Sequence, residues 1–185
     1  MLILGHIGIT AGVFKAGNIL TNMSSVSRLD RIKSQLGLID YRLVLVGSLL
    51  PDLIDKPIWF IVGDSAYLSG RDYAHSLLFN LFLLFGGLIL VKYKKLWLLV
   101  ISLSSFMHLI FDQIWNCPVV LFWPLLGPLY KKETTGWMSG ILQVLFSSPE
   151  VYVPEIIGLI IMINFVYRLI MKKKTISFLK EGIIE

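Results

Sequence analysis

Apolar residues fall along the chain in stretches close to the roughly 20 residues needed to cross the hydrocarbon core of a bilayer. Four of them, 41–62, 74–91, 96–115 and 152–171, read as membrane-spanning helices. Residues 1–20 are more polar, with His6, Lys15 and Asn18, but Gly8, Gly12 and Ala16 recur at four-residue spacing and leave a face against which another helix can pack closely. This segment reads as a fifth span enclosed by the others. The segment 24–40 has a different period: Val26, Leu29, Ile32, Leu36 and Ile39 form one stripe, with Arg28, Asp30, Arg31 and Lys33 largely opposite. That pattern predicts an interfacial helix lying on the membrane. Residues 118–128 are apolar but short and broken by Pro118, Pro124 and Pro128, which predicts a hairpin or re-entrant loop buried against protein. The expected fold is an all-α polytopic transmembrane bundle of about five spans plus the interfacial helix and the re-entrant loop.

Composition removes the main alternatives. Of 185 residues, 56% are hydrophobic and 16% charged, against about a quarter charged in ordinary soluble domains, and mean hydropathy is +0.76. No repeat, low-complexity tract or linker divides the chain, so 1–185 is expected to be a single integral membrane domain. The net charge of +5 does not imply a nucleic-acid partner, because the basic residues sit in short clusters beside apolar runs. Cys117 is the lone cysteine, which leaves no intrachain disulfide and no cysteine zinc motif. The N-terminal segment lacks a basic start and a small-residue cleavage site, so it is not expected to be a removable signal.

The basic clusters also set an orientation. The stretch 21–42 carries Arg28, Arg31, Lys33 and Arg42; the 92–95 turn carries Lys92, Lys94 and Lys95; the C-terminal end carries Arg168, Lys172, Lys173, Lys174 and Lys180. These segments alternate so as to lie on one side, which the positive-inside rule makes cytoplasmic. The opposite connections carry Arg71, Lys131 and Lys132. The expected localisation is the inner membrane, with the N-terminus outside and the C-terminus inside.

Ionisable groups inside membrane helices are costly and commonly functional. All three histidines fall in or beside spans, and with the topology above His6, Asp52, Asp55, His75, His108, Asp112 and Glu155 reach the same outer depth from five helices. Imidazole and carboxylate are ligands of zinc and other divalent ions, and His108 and Asp112, one turn apart, can hold one ion together. A divalent cation would also compensate carboxylates that otherwise repel one another. Each residue has a plainer reading: an interhelical hydrogen bond for His108 and Asp112, a helix cap for Asp52, a satisfied interior histidine for His6, and a partner of its own helix dipole for Glu155. Arg71 and Asp72 read as a solvated pair, Lys56 as a snorkelling side chain, and Ser76 as a helix-start hydroxyl.

The segments Gly47-Ser-Leu-Leu-Pro-Asp-Leu-Ile-Asp-Lys-Pro57, Gly70-Arg-Asp-Tyr-Ala-His-Ser76, His108-Leu-Ile-Phe-Asp112 and Phe122-Trp-Pro124 together resemble the LexA-regulated, membrane-bound metal-dependent hydrolases of the YdjM-like family. Many members look like His-Arg-Gly-x-Thr-His-Ser at the second of these segments; here Gly70 stands for the first histidine and Asp72 for the glycine. The motifs are in turn similar to the helical zinc phospholipase C and P1-nuclease group. That likeness implies His6, Asp52, His75, His108 and Asp112 as metal ligands. Membrane phosphatidic-acid phosphatases are a poorer match, since no Lys-x6-Arg-Pro and no Pro-Ser-Gly-His occur, and Ser102 and Leu103 stand where an arginine is required.

The expected function is therefore a membrane-embedded metal-dependent hydrolase acting on a phosphoester of a lipid or lipid-linked substrate at the outer membrane face. Its metal site would comprise His6, Asp52, His75, His108, Asp112 and Glu155, with one or two divalent ions, zinc before manganese or magnesium. Asp55 is the candidate general base or orienter of a ligand imidazole, and Arg71 the candidate stabiliser of an anionic oxygen. Residues 118–128, with Phe122 and Trp123, would line a groove for the lipid chains. The alternatives are a metal or proton transporter, or a non-catalytic membrane protein with a structural metal.

Overall fold

A computed structural model describes residues 1–23, 39–62, 70–129, 143 and 145–183. Five long helices make the body: α1 (Ile3–Met23), α2 (Tyr41–Val62), α3 (Leu77–Val91), α4 (Trp97–Phe111) and α6 (Pro149–Met171). A 3-10 turn at Ile114–Asn116 and the short α5 (Pro118–Leu121) follow α4, and α7 (Thr175–Glu181) follows α6. No strand occurs among the described residues. The described residues are all-helical, as expected. The expected interfacial helix, most of it in 24–38, and Lys131, Lys132 and Trp137 lie outside the described residues.

Helix positions agree with the hydropathy pattern for the second span and differ at the ends of others. The third helix begins at Leu77, not 74, because Ser76 takes an extended conformation and caps it by accepting the Phe79 amide at 3.2 Å. His75 therefore sits in a turn before the helix. The fourth helix stops at Phe111, where Gln113 adopts a left-handed conformation. Asp112 is thus a C-terminal cap residue and not part of a continuous span. The 118–128 segment is not buried against protein among the described residues: Leu125 is 86% exposed, and Trp123 instead sets its ring against Tyr73, 5.0 Å away.

α1 packs on α6 and α2, α2 on α4, and α4 on α3. Small residues set how closely these pairs approach. Gly8 and Gly158 meet backbone to backbone, and a Cβ on either would fall on the other helix's main chain. Gly47 does the same for α2 and α4, where a Cβ would meet the Ile101 carbonyl at 2.7 Å and Ser104 Cβ at 2.8 Å.

The distribution of polarity is inverted relative to a water-soluble bundle. Fully buried side chains are mostly polar, among them His6, Thr10, Ser48, Asp55, His75, Asn80, Ser105 and His108. Large apolar side chains such as Phe82, Phe85, Ile160 and Ile163 face outward. Within the interior the two ends differ. At one end Tyr41, Val44, Val100, Phe165 and Leu169 form an apolar core, with Phe14, Leu96 and Phe178 packed on it. This is the end that carries Arg42, Lys92, Lys94, Lys95, Arg168 and Lys172–Lys174. The polar groups occupy the other end. Among the described residues one helix, α6, is long and apolar enough to cross a membrane by itself; α3 and α4 are apolar but only 15 residues long.

Candidate metal centre

Two helix ends, one turn and one helix interior bring the site together. In α2, Pro51 has no N–H to give back and disturbs the preceding turn of the helix. In that turn the Ser48 carbonyl accepts the Nδ1 proton of His108 at 2.7 Å, which the close α2–α4 approach at Gly47 permits. The helix runs on through Pro51, so Asp52 is an interior residue and not the cap of a new helix.

Asp55, one turn further along, is completely buried and receives four donors. His75 Nδ1 lies 2.7 Å from Oδ2, and the amides of Asp72, Ala74 and His75 donate at 2.8, 3.0 and 3.2 Å. Its carboxylate thus shapes the 70–76 turn and fixes the His75 ring at once. The same turn is held from outside by Asn80, whose amide donates to the carbonyls of Ala74 and Ser76 and whose Oδ1 accepts the Ser105 hydroxyl at 2.6 Å. Asp72 accepts the Gly70 amide at 3.0 Å and is buried, so it is a turn residue shielded from solvent, contrary to the solvated position expected of it.

Asp55 and the Ser48 carbonyl are acceptors, so both histidines carry their proton on Nδ1 and present a bare Nε2 when neutral. These two Nε2 atoms lie 3.3 Å apart and face one oxygen each of Asp52 and Asp112. His75 Nε2 is 3.7 Å from Asp52 Oδ1 and 3.9 Å from Asp112 Oδ2; His108 Nε2 is 3.9 and 3.8 Å from the same atoms. Around a tetrahedral zinc ion with bonds of about 2.0–2.2 Å, ligand atoms lie about 3.3–3.6 Å apart. The Nε2–Nε2 separation falls in this range and the four imidazole–carboxylate distances are a few tenths of an ångström longer; lone pairs and carboxylates gathered so closely repel one another, and a cation among them relieves the repulsion. Asp52, His75 and His108 make one trio placed so that it could hold a metal ion.

His6 also enters the cluster, and with His108 and Asp112 it makes a second possible trio. Its ring is stacked on that of His108 at 3.9 Å and 15°, and its Nε2 lies 3.1 Å from Asp112 Oδ1. Lone pairs lie in the ring planes, so two nearly parallel stacked rings aim poorly at one ion. His6 Nδ1 and Thr10 Oγ1, one turn away on α1, are buried without a hydrogen-bond partner. The amino group of Met1 also lies 3.1 Å from Asp112 Oδ1.

Glu155 is not brought to the cluster. Both its oxygens are used at the start of α1, accepting the Leu2 amide at 2.7 Å and the Leu4 amide at 3.0 Å. Helix-initiating N–H groups lack partners within their own helix, and this carboxylate supplies them from a neighbour. Its expected place as a ligand, and its alternative as a cap of its own helix, both give way to that contact.

Two cationic side chains border the cluster. Arg71 Nη2 lies 2.9 Å from Asp112 Oδ2, and Lys56 Nζ lies 2.5 Å from Asp52 Oδ2, each side chain a little under half exposed. Lys56 was expected to reach only for the membrane surface; its i,i+4 spacing from Asp52 is the sequence signal for this pair. The Ser48 carbonyl and Asn80 had no such signal, since one is backbone and the other acts through the turn. A cleft of about 300 Å³ is lined by apolar residues such as Ile9, Phe111, Trp115 and Ile157 together with Gln113 and Glu150. It lies between α1, α4 and α6, away from the 118–128 segment expected to form a groove.

No curated protein and no solved structure matches the chain. The family of YdjM inner membrane proteins matches residues 1–177, nearly the whole sequence that carries these helices and this cluster. The chain belongs to the YdjM inner membrane protein family.

Proposed function

We propose that this protein is a five-span membrane bundle that hydrolyses a phosphoester of a lipid or lipid-linked substrate with a divalent metal ion, zinc first, at the outer membrane face. The observation that carries the reading is the convergence of His75 Nε2, His108 Nε2, Asp52 Oδ1 and Asp112 Oδ2, with both imidazoles oriented from behind by Asp55 and the Ser48 carbonyl. Support from behind of this kind is how proteins fix a ligand imidazole. The apolar exterior and polar interior support a bilayer as the surrounding medium. The basic residues gathered at the far end favour a site on the outer side.

In this reading His75, His108, Asp52 and Asp112 are the ligands of one ion. Asp55 orients His75, being too enclosed to reach a substrate, and His6 steadies Asp112. When bound, such an ion supplies a Lewis acid and activates water near neutral pH. Arg71, at the mouth, meets the developing charge on phosphoryl oxygen. Among the described residues no Ser/His/Asp arrangement offers an acyl-enzyme route. In this reading the cleft between α1, α4 and α6, with Ile9, Phe111, Trp115 and Ile157 on its walls, takes the lipid chains.

The transporter reading is disfavoured by the opposite end of the bundle, where Tyr41, Val44, Val100, Phe165 and Leu169 close the interior with apolar side chains. The deciding experiment incubates purified protein with a lipid panel and Zn²⁺, Mn²⁺ or Mg²⁺. We expect chelator-sensitive release of a phosphate-containing headgroup, lost in Asp112→Asn. Metal uptake into liposomes with no lipid turnover would instead make the protein a transporter, and bound metal with neither would make the ion structural.

A further inference from the structure

Resting on the metal-centre reading, the geometry points to Lys56 and Arg71 as a two-cation anion site, with Arg71 exchanging between Asp112 when the ion is absent and a phosphate-type dianion when it is present. The two carboxylates aimed at the centre each carry one side-chain cation, Lys56 on Asp52 and Arg71 on Asp112, while the other oxygen of Asp112, Oδ1, also meets the Met1 amino group. The two pairs are not equivalent. Lys56 uses Oδ2 of Asp52, the oxygen turned away from the centre, while Oδ1 faces the two imidazoles. Arg71 uses Oδ2 of Asp112, the same oxygen that lies 3.9 and 3.8 Å from the two Nε2 atoms. An ion bound by that oxygen competes directly with the guanidinium, whereas it leaves the Lys56 contact geometrically intact.

A divalent ion also takes up the negative charge that holds both cations, which weakens their grip on the carboxylates. Lys56 and Arg71 are 47% and 44% exposed, so both can turn outward without breaking the buried network of Asp55, Asn80 and Ser105. A guanidinium and an ammonium beside a dication form a site suited to a doubly charged phosphoryl group. Binding of the metal and of the anion are therefore coupled: the ion frees Arg71, and the anion gives Arg71 a new partner, so each raises affinity for the other.

Isothermal titration of the detergent-purified full chain, first with Zn²⁺ and then with methylphosphonate, separates the steps. The wild type should bind methylphosphonate at least about tenfold more tightly when zinc-loaded than when metal-free. Arg71→Gln should bind zinc as tightly as the wild type or more tightly, because a competitor is gone. Zinc-loaded Arg71→Gln and Lys56→Gln should each bind methylphosphonate about tenfold or more weakly, the order expected for losing one charge-assisted hydrogen bond. Arg71→Lys, which keeps the charge and loses the fork, should fall between. Methylphosphonate affinity within twofold of wild type in zinc-loaded Lys56→Gln and Arg71→Gln overturns the anion site, and loss of zinc binding in both Arg71 variants overturns the exchange. A wild type that binds no zinc would instead refute the metal centre itself.

Discussion

Replacing Asp55 by asparagine removes the residue that shapes the 70–76 turn and orients His75. The wild-type carboxylate accepts from His75 Nδ1 at 2.7 Å and from the amides of Asp72, Ala74 and His75 at 2.8–3.2 Å, all in a fully buried setting. Asparagine keeps one acceptor oxygen and turns an NH₂ group toward the remaining donors. About two buried donors then lack an acceptor, at about 1–3 kcal/mol each, which is a large share of a typical folding free energy of about 5–15 kcal/mol. The His75 ring also loses the contact that fixes its proton on Nδ1, and loss of such a support costs about 10–100-fold in metal affinity. Thermal melting in detergent measures the first effect. Competition with a chromophoric zinc chelator, well below the melting temperature of the variant, measures the second. An Asp55→Asn protein that melts with the wild type and binds zinc within twofold of it would refute the assignment of Asp55 as the support of His75.

The same structure makes further predictions. Gly158→Val should force α1 and α6 apart and cost about 1–3 kcal/mol in a detergent melt, the usual cost of overpacking, whereas Gly17→Ala, which meets nothing within 4 Å, should be neutral or stabilising; equal effects would contradict the backbone contact at Gly8 and Gly158. At the basic end Arg42 bonds Asp40 and reaches the Leu179 carbonyl of α7 at 2.8 Å, and the Tyr41 amide donates to the Gly182 carbonyl at 2.9 Å. The Arg42 guanidinium holds the Asp40 carboxyl below its ordinary range against the opposing effect of burial. The carboxyl is lowered in the folded state, so its contribution is complete above the ordinary aspartate pKa and lost as pH falls through the lowered one. A spin label at Lys180 should gain mobility over that acidic window in the wild type, and be mobile already at neutral pH in Asp40→Asn; a label indifferent to both changes would contradict this anchoring of α7.

Much of the site was legible in the sequence because its chemistry opposes its surroundings. His6, Asp52, His75, His108 and Asp112 stand out as ionisable groups in apolar stretches, and helix direction alone places them at one end of the bundle. Gly8 and Gly12 were legible for a similar reason, since small residues at four-residue spacing mark a close approach, and both face α6. Glu155 carries the same chemistry as the others, and only the three-dimensional placement of the α1 start shows that its oxygens are already used. His6 is a subtler case: spacing gives its depth but not the ring stacking that turns it away from the centre. The support of His108 was not legible, because it comes from the backbone carbonyl of Ser48, which no side chain signals, and Lys56 was masked by the general tendency of lysine to reach for the membrane surface.

The most direct test of the centre is the zinc-edge X-ray absorption spectrum of the zinc-loaded full chain in detergent. One ion per chain is expected, with four nitrogen and oxygen neighbours at about 2.0–2.2 Å and the outer-shell scattering of two imidazoles. The outer-shell signature of three imidazoles, or the spectrum of the hydrated ion, would contradict a centre built from His75, His108, Asp52 and Asp112.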